Sequence, residues 1–207
     1  MSDFVTIILA AGKGTRMKSA LPKVLHKAGG KAMVAHVLAA AKAAGATRQI
    51  VVTGFGGDQV REALAGQAEF VTQTEQLGTG HAVKMTAPLL KYTQGTIMVL
   101  CGDTPLLTGA LLKKLYDEHI AAQAKATVLT AVMPDATGYG RIIRQADGSV
   151  EKIVEHKDAT EAERAVKEVN SGIYCFDAQA LFAALEKVTN DNAQGEYYLP
   201  DVLGILK

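Results

Sequence analysis

The sequence predicts an α/β fold with three layers, in which a mostly parallel sheet lies between two layers of helices. Two observations predict it. Short apolar runs rich in β-branched residues, the first of them residues 4–9, alternate with segments of helical period as far as residue 125. Strand-like segments then follow one another, and Ala146-Asp147-Gly148 is typical of a tight hairpin turn. We therefore expect a doubly wound sheet with right-handed crossovers and a β-hairpin lobe at its edge.

In the first part of the chain each predicted strand is followed by a helix. Gly45 suits the position just past a helix end, Asp58 suits an N-cap, and Pro88 is expected to kink or end the helix that contains it. In the last of these helices Leu111, Leu112, Leu115 and Ile120 are candidate core residues. The predicted strands are 4–9, 49–53, 69–72 and 96–100, and the predicted helices are 33–44, 58–65, 79–90 and 108–122.

The second part of the chain is predicted to be mixed. Asp177 is expected to start its helix. We find no repeat, linker or low-complexity segment, and we therefore do not divide the chain into independent domains. The predicted strands are 126–132, 140–144, 149–154 and 171–176, and the predicted helix is 177–186.

Composition and charge exclude some classes of partner. The 207 residues carry a formal net charge of +1, which gives no general attraction to nucleic acid or to a membrane surface. Cys101 and Cys175 lie far apart in apolar contexts, so we expect them to be free thiols in a reducing cytoplasm. We find neither a signal peptide nor a membrane span, and we therefore expect a cytoplasmic protein. The interval between Asp3 and Asp58 contains no acidic residue but eight basic ones, which predicts a local anionic ligand.

A glycine loop follows the first strand and is expected to bind phosphate. Small residues at positions 10–12 and Gly14 let backbone N–H groups approach a ligand, and the basic side chains of Arg16 and Lys23 follow. Met17 breaks both the dinucleotide fingerprint and the P-loop, because each needs glycine at that position. The alternative is a glycine-rich turn with no ligand.

Two further segments carry polar groups at the same predicted sheet edge. Asp103 follows the strand 96–100, and a carboxylate facing a phosphate needs a cation such as Mg²⁺ between them, unless Asp103 is only a turn residue before Pro105. The loop 73–82 offers N–H and C=O groups suited to reading the edge of a base, although Thr79 as a helix N-cap is an alternative explanation. We interpret His81 as a helix residue and not as a catalytic base.

The order of these motifs resembles a known enzyme family. The segment L-A-A-G-x-G-T-R-M followed by P-K is similar to the N-terminal motif of the sugar-1-phosphate nucleotidyltransferases. The continuation P-K-V-L-H and the loop Q-x-E-Q-L-G-T-G-H-A resemble the uridyltransferase domain of the bacterial bifunctional N-acetylglucosamine-1-phosphate uridyltransferase/glucosamine-1-phosphate acetyltransferase. Similar motifs continue to Asp201, so the resemblance covers nearly the whole chain.

The resemblance implies a Rossmann-like nucleotidyltransferase domain over residues 1–207, with a nucleotide-binding half at 1–125 and a sugar-binding half at 126–207. It also implies a reaction of UTP with N-acetylglucosamine 1-phosphate, which gives UDP-N-acetylglucosamine and pyrophosphate for peptidoglycan and lipopolysaccharide precursors. The alternatives are a nucleotidyltransferase for another base or acceptor, and a non-catalytic nucleotide-sugar-binding domain.

The same resemblance assigns site residues by position. Arg16 and Lys23 match catalytic residues, and Asp103 matches a ligand of Mg²⁺. The expected substrate-binding residues are Leu9, Ala10, Ala11, Gly12, Lys23, Gln73, Gly78, Thr79, Gly102, Gly140, Glu155 and Asn170.

The chain also departs from the family pattern. Ala32 replaces a usual proline, and Cys101 stands where many relatives have tyrosine or another residue. The resemblance places a second metal ligand, an asparagine, and a left-handed β-helix with the acetyltransferase site beyond Lys207. We therefore expect binding of nucleotide and sugar, slow or absent turnover, no acetyltransferase activity and weak oligomerisation.

Overall fold

A computed structural model describes residues 3–207, with the side chain of Arg16 outside the described part. The strands are β1 Asp3–Ala10, β2 Lys27–Ala28, β3 Lys31–Ala32, β4 Arg48–Thr53, β5 Glu69–Thr72, β6 Gly95–Cys101, β7 Ala126–Val132, β8 Arg141–Arg144, β9 Val150–Val154 and β10 Glu168–Asp177. The helices are α1 Met33–Ala43, α2 Gly57–Ala63, α3 Thr79–Lys84, α4 Ala87–Leu90, α5 Gly109–Ala121, α6 Glu161–Arg164, α7 Ala178–Leu185 and α8 Asp201–Ile205. Short 3-10 turns lie at Thr15–Met17 and Lys23–Leu25.

Parallel strands form one side of the eight-stranded sheet. Seven strands follow the order β5-β4-β1-β6-β10-β8-β9, and the eighth, β7, pairs with β10. The β5-β4-β1-β6 part is parallel throughout. The inner strands β1, β4 and β6 are almost wholly buried, because helices cover both of their faces, whereas the edge strand β5 is partly exposed. The chain therefore runs outward from β1 through β4 to β5 and then returns to place β6 on the other side of β1.

Antiparallel strands extend the sheet beyond β6. The carboxyl half of β10 pairs with β6 on one side and β7 on the other, whereas its amino half pairs with β7 and β8. The register shifts between Asn170 and Tyr174, where Gly172 has φ +77°. The β8–β9 hairpin joins the sheet here, which confirms the predicted hairpin at a sheet edge.

Two apolar cores lie on opposite faces of the sheet and complete the three predicted layers. One core packs β-strand side chains such as Ile7 and Val99 against α3, α7 and α8. The other packs Ile8 and Leu100 against α1 and α5. Successive residues of β1 and of β6 therefore point into different cores, as strand geometry requires.

Several predicted helix details are wrong. The predicted helix 79–90 is two helices, α3 and α4, because Pro88 lies at the start of α4, where its missing N–H costs no helical hydrogen bond. Gly56, with φ +62°, and not Asp58, is the N-cap of α2. On α5 Leu112 and Leu115 are buried, whereas Leu111 and Ile120 are exposed, so those two are not core residues.

The remaining elements agree with the predictions apart from their bounds. Gly45, with φ +96°, follows the end of α1, and the Asp177 side chain accepts a hydrogen bond from the Ala180 N–H at the start of α7. Strand β10 begins three residues before the predicted 171–176 strand, at Glu168. The β2–β3 ribbon and the helix α6 were not predicted. Within residues 3–207 no helix is both long and apolar enough to cross a membrane.

Candidate active site

The glycine loop and Asp103 meet where the direction of the sheet winding changes. Strands β1 and β6 are neighbours, but the chain leaves β1 toward β4 and leaves β6 toward β7 and β10, which lie in opposite directions along the sheet, and ligands of open α/β sheets bind at such a point. A cavity of about 510 Å³ lies at this edge. It is lined by Leu9, Ala10, Gly12, Gly14, Thr15, Met17, Lys23, Val24, Thr79, Cys101 and Asp103.

Close contacts fix the backbone of the glycine loop. Gly14 has φ +59°, and a Cβ added to it would lie 2.7 Å from Lys23 Cβ, so only glycine fits at this position. The Ala11 carbonyl accepts hydrogen bonds from the Phe55 N–H at 3.2 Å and from Gln76 Nε2 at 3.0 Å. The Gln76 contact joins the glycine loop to the predicted base-reading loop across 65 positions of sequence, and the sequence analysis did not single out Gln76.

The predicted catalytic residues lie on two adjacent 3-10 turns. Arg16 is in the Thr15–Met17 turn, directly after the glycine loop, and the position of its side chain lies outside the described part of the structure. Lys23 begins the Lys23–Leu25 turn, which Val24 and Leu25 anchor in the core that also contains Ile8.

The side chains of Lys23 and Asp103 form an ion pair in the cavity. The contact joins Lys23 Nζ to Asp103 Oδ2, and the two side chains are 34% and 28% exposed. Asp103 is held in place from behind, since the Gly102 N–H donates to the Leu9 carbonyl at 2.9 Å and a Cβ on Gly102 would lie 2.9 Å from the same oxygen. The structure therefore brings together two predicted residues that are 80 positions apart.

The thiol of Cys101 also faces the cavity. It donates to the Gly172 carbonyl at 3.5 Å. Burial raises the pKa of Cys101 to about 12, and the Asp103 carboxylate adds to the increase. The thiol therefore stays neutral at physiological pH and is not activated as a nucleophile.

The predicted base-reading loop is ordered by hydrogen bonds within itself. Gln73 is only 5% exposed, and its Nε2 lies 3.0 Å from both the Gly78 carbonyl oxygen and His81 Nδ1. Gly78 has φ +101° and is the N-cap of α3, so the explanation of Thr79 as that N-cap is wrong. The Thr79 hydroxyl instead accepts a hydrogen bond from the Leu199 N–H at 3.1 Å.

The predicted sugar-binding residues form a second group at the hairpin. The Asn170 N–H donates to the Gly140 carbonyl at 2.9 Å, and a Cβ on Gly140 would lie 3.1 Å from Glu155 Oε1. In the described part of the structure these three residues lie outside the lining of the cavity. The Cys101–Gly172 contact connects the two groups, because Gly172 lies two positions after Asn170.

A buried arginine, which the sequence analysis did not identify, stabilises the second group. Arg141 is 2% exposed and donates to the carbonyls of Tyr139, Arg164 and Val166. Its guanidinium therefore holds the loop before β8 against the segment after α6. Little in the sequence indicates this role, because Arg141 lies at the start of an ordinary hairpin strand.

The carboxyl group of Glu155 lies in an environment that disfavours its charged form. Burial is the main cause that raises its pKa, and the negative charges of Asp158, Asp201 and Glu196 raise it further. Glu155 is thus more easily protonated than an exposed glutamate.

Asp103 can hold a metal ion only if a bound substrate supplies further ligands to the same ion. Among residues 3–207, the Arg16 side chain aside, no three His, Cys, Asp or Glu side chains are grouped so that they could hold a metal ion. Mg²⁺ accepts a site with one carboxylate when phosphate oxygens and waters complete its octahedron. Asp103 therefore fits a metal bound jointly with a nucleotide.

Comparisons with known proteins agree with this architecture. The model of the nucleotidyl transferase family matches residues 5–205. The chain belongs to the nucleotidyl transferase family. This nucleotidyl transferase is 57% identical over 201 residues to the bifunctional protein GlmU of Geobacillus thermodenitrificans and 59% identical over 207 residues to that of Shouchella clausii.

Those matches cover 97% and 100% of this nucleotidyl transferase but only 44% and 46% of the two relatives, so the chain spans less than half of their length. A solved structure of UDP-glucose pyrophosphorylase with UDP-glucose superposes with a TM-score of 0.75 at 18% identity, covering 97% of this chain and 85% of that one. At that identity the likeness shows the Rossmann-like nucleotidyl transferase fold.

Proposed function

We propose that this chain is a uridyltransferase domain, which converts UTP and N-acetylglucosamine 1-phosphate into UDP-N-acetylglucosamine and pyrophosphate. One observation carries the proposal: the glycine loop, the Lys23–Asp103 pair and Thr79 of the base-reading loop line a single cavity at the winding switch point. The 56–59% identity to GlmU proteins over the matched part supports the same class of reaction.

The reaction needs charge neutralisation and alignment more than proton transfer. A sugar-phosphate oxygen attacks the α-phosphorus of UTP in line, and pyrophosphate leaves. The Lys23 ammonium would hold phosphate oxygens at the reacting centre, and backbone N–H groups of residues 9–12 would hold the nucleotide. Arg16 is proposed to stabilise the leaving group, because the motif that contains it resembles that of the sugar-1-phosphate nucleotidyltransferases. When bound at Asp103, Mg²⁺ would neutralise charge that develops on the phosphates.

The remaining residues are proposed to select the base and the sugar. Gln73, Gly78 and Thr79 would bind uracil and ribose, because their loop is held rigidly next to the cavity. Gly140, Glu155 and Asn170 would bind N-acetylglucosamine, since carboxylate and amide groups suit hydroxyl and amide recognition. The 1–125 and 126–207 halves would then serve nucleotide and sugar respectively.

The same proposal implies a cellular compartment and a set of partners. Both cysteines are free, as expected for a cytoplasmic protein. The proposed partners are UTP, N-acetylglucosamine 1-phosphate and their two products, and weak self-association stays a prediction.

Pyrophosphate release measured with each of the four nucleoside triphosphates and several sugar 1-phosphates tests the function. We expect UTP with N-acetylglucosamine 1-phosphate to give the highest rate, and a slow absolute rate is compatible with the proposal. Asp103→Asn should weaken both activity and metal dependence, and Lys23→Ala should lower kcat by ~10²-fold. Asp117→Asn is the matched control, because Asp117 is exposed on α5 and pairs with Lys113.

The same assay separates the alternatives. A higher rate with another base or sugar would replace the proposed substrates within the same family. Calorimetric binding of UDP-N-acetylglucosamine without pyrophosphate release under any condition would indicate a non-catalytic binding domain. Activity that persists in excess chelator would show that Asp103 is a turn residue.

A further inference from the structure

The Lys23–Asp103 ion pair places two proposed functions in direct competition. Asp103 is expected to bind a cation, and Lys23 is expected to bind phosphate, yet in the structure each neutralises the other. A carboxylate oxygen that accepts the Lys23 ammonium is not free to ligate a metal from the same side. Conversely, an ammonium held by a carboxylate attracts a phosphate less strongly.

Both backbones are anchored, so the pair is not an accidental contact of mobile side chains. Pro22 lies against Gly56, where an added Cβ would come within 2.3 Å of Pro22 Cγ, and Val24 and Leu25 are buried on the other side of Lys23. Behind Asp103, Gly102 is held against β1, and the Thr104 hydroxyl donates to the Cys101 carbonyl at 2.6 Å. The two side chains therefore project toward each other from fixed positions.

We propose that Lys23 is an exchangeable counter-ion of Asp103, so that the metal and Lys23 occupy the carboxylate in alternation. This inference rests on the proposed function. In the nucleotide-free protein the Lys23 ammonium occupies Asp103 and keeps the affinity for the metal low. When a nucleotide arrives with its metal, the metal takes the carboxylate and the ammonium moves to a phosphate oxygen. The two binding events are therefore coupled with positive cooperativity.

The exchange explains why these two residue types lie together in a site for a metal and an anion. A free carboxylate in the cavity would repel the nucleotide phosphates, whereas a paired one does not. Lys23 supplies the charge until the metal does so. In the exchange the ion pair between Lys23 and Asp103 is lost, a metal–carboxylate contact and an ammonium–phosphate contact replace it, and no proton is transferred; the net charge of the pair is zero before it.

Metal binding to the nucleotide-free protein tests the exchange without any turnover. We would titrate Mn²⁺ at low ionic strength and follow it by its electron paramagnetic resonance signal. Lys23→Met keeps the methylenes that pack on Gly14 but removes the ammonium, and it should tighten Mn²⁺ binding by ~10-fold. Lys13→Met is the matched control, because Lys13 is an exposed cation between Gly12 and Gly14 of the same loop. It should change the affinity by less than about 2-fold.

A second titration measures the coupling. Inorganic pyrophosphate should strengthen Mn²⁺ binding to the unmodified protein more than it strengthens binding to Lys23→Met, because only the former has an ammonium to release. Circular dichroism and thermal unfolding would confirm that each variant is folded.

The possible outcomes separate the exchange from the metal site itself. Equal effects of Lys23→Met and Lys13→Met would show a general field effect and overturn the exchange. Unchanged affinity in Lys23→Met, with binding still lost in Asp103→Asn, would also overturn it while leaving the metal site intact. If Mn²⁺ does not bind through Asp103 even with UTP present, both the exchange and the metal site of the proposed function are wrong.

Discussion

The contact between Gln76 and the Ala11 carbonyl offers a sharp test of how the site is built. The Gln76 side chain links the base-reading loop to the glycine loop. Its Nε2 lies 3.0 Å from the Ala11 carbonyl oxygen. Gln76→Glu keeps the shape of the side chain but replaces the donor with a carboxylate, which then faces a carbonyl oxygen. We predict that this variant binds uridine nucleotides more weakly and keeps its stability.

The magnitude follows from the surroundings of the contact. A neutral hydrogen bond contributes about 1 kcal/mol net, which corresponds to about 5-fold in affinity. The Ala11 carbonyl retains the Phe55 N–H at 3.2 Å, so the loop should not lose its fold. Gln76 is exposed, and the free energy of unfolding should therefore change by less than about 1 kcal/mol, or about 2–4 °C in Tm.

Isothermal titration of UTP and UDP, together with thermal unfolding, measures both quantities. Gln67→Glu is the matched control, because Gln67 is an exposed glutamine in the turn between α2 and β5. We expect Gln76→Ala and Gln76→Glu to raise the Kd for both nucleotides by about 5-fold or more, and Gln67→Glu to leave it unchanged. Nucleotide affinity in Gln76→Glu equal to that of the unmodified chain would refute the idea that this contact positions the glycine loop.

Three further variants test the base loop and the hairpin group. Gln73→Ala should weaken binding of UTP by about 1–3 kcal/mol and that of other triphosphates less, and equal losses in calorimetry with all four nucleotides would assign Gln73 to scaffolding. Gly78→Ala should destabilise the chain and impair nucleotide binding, because its Cβ would lie 2.7 Å from the Tyr197 carbonyl at φ +101°; an unchanged Tm would contradict this. Glu155→Gln should raise the Tm at neutral pH, since burial raises the pKa of Glu155 and its charged form opposes folding. That gain should shrink as the pH falls through the pKa and the native carboxyl becomes protonated, and a gain that grows toward acid pH would have the wrong sign.

The layered fold was predictable because buried parallel strands leave a direct pattern in sequence. Runs such as 4–9 and 96–100 are apolar except for one buried threonine each, Thr6 and Thr96, and each of these two strands lies between two cores. The exact ends of the helices were harder to predict from the sequence. Asp58 and Thr79 are both good N-cap types, but glycines with positive φ occupy the two caps, since tertiary contacts decide how the chain enters each helix.

Long-range contacts explain why only part of the candidate site could be predicted. Lys23 and Asp103 were indicated by their places after the glycine loop and after a strand end, and the family resemblance added Gln73 and Gly140. Nothing local indicates that the first two form an ion pair. Their contact depends on the register of β1 against β6, which brings Leu9 next to Cys101. Gln76 and Arg141 were missed for the same reason, because their partners are backbone carbonyls that any residue provides.

We propose that one end of the site holds uridine and the other holds N-acetylglucosamine. Calorimetric titration of UDP-N-acetylglucosamine tests it most directly, because this single ligand spans the base-reading loop and the Gly140–Glu155–Asn170 group. UDP-glucose, which lacks the N-acetyl group, and ADP-glucose, which also lacks uracil, are the comparison ligands. We predict the tightest binding for UDP-N-acetylglucosamine, an intermediate Kd for UDP-glucose and the weakest binding for ADP-glucose. Equal affinity for all three ligands, or a preference for ADP-glucose, would contradict this assignment of the two ends of the site.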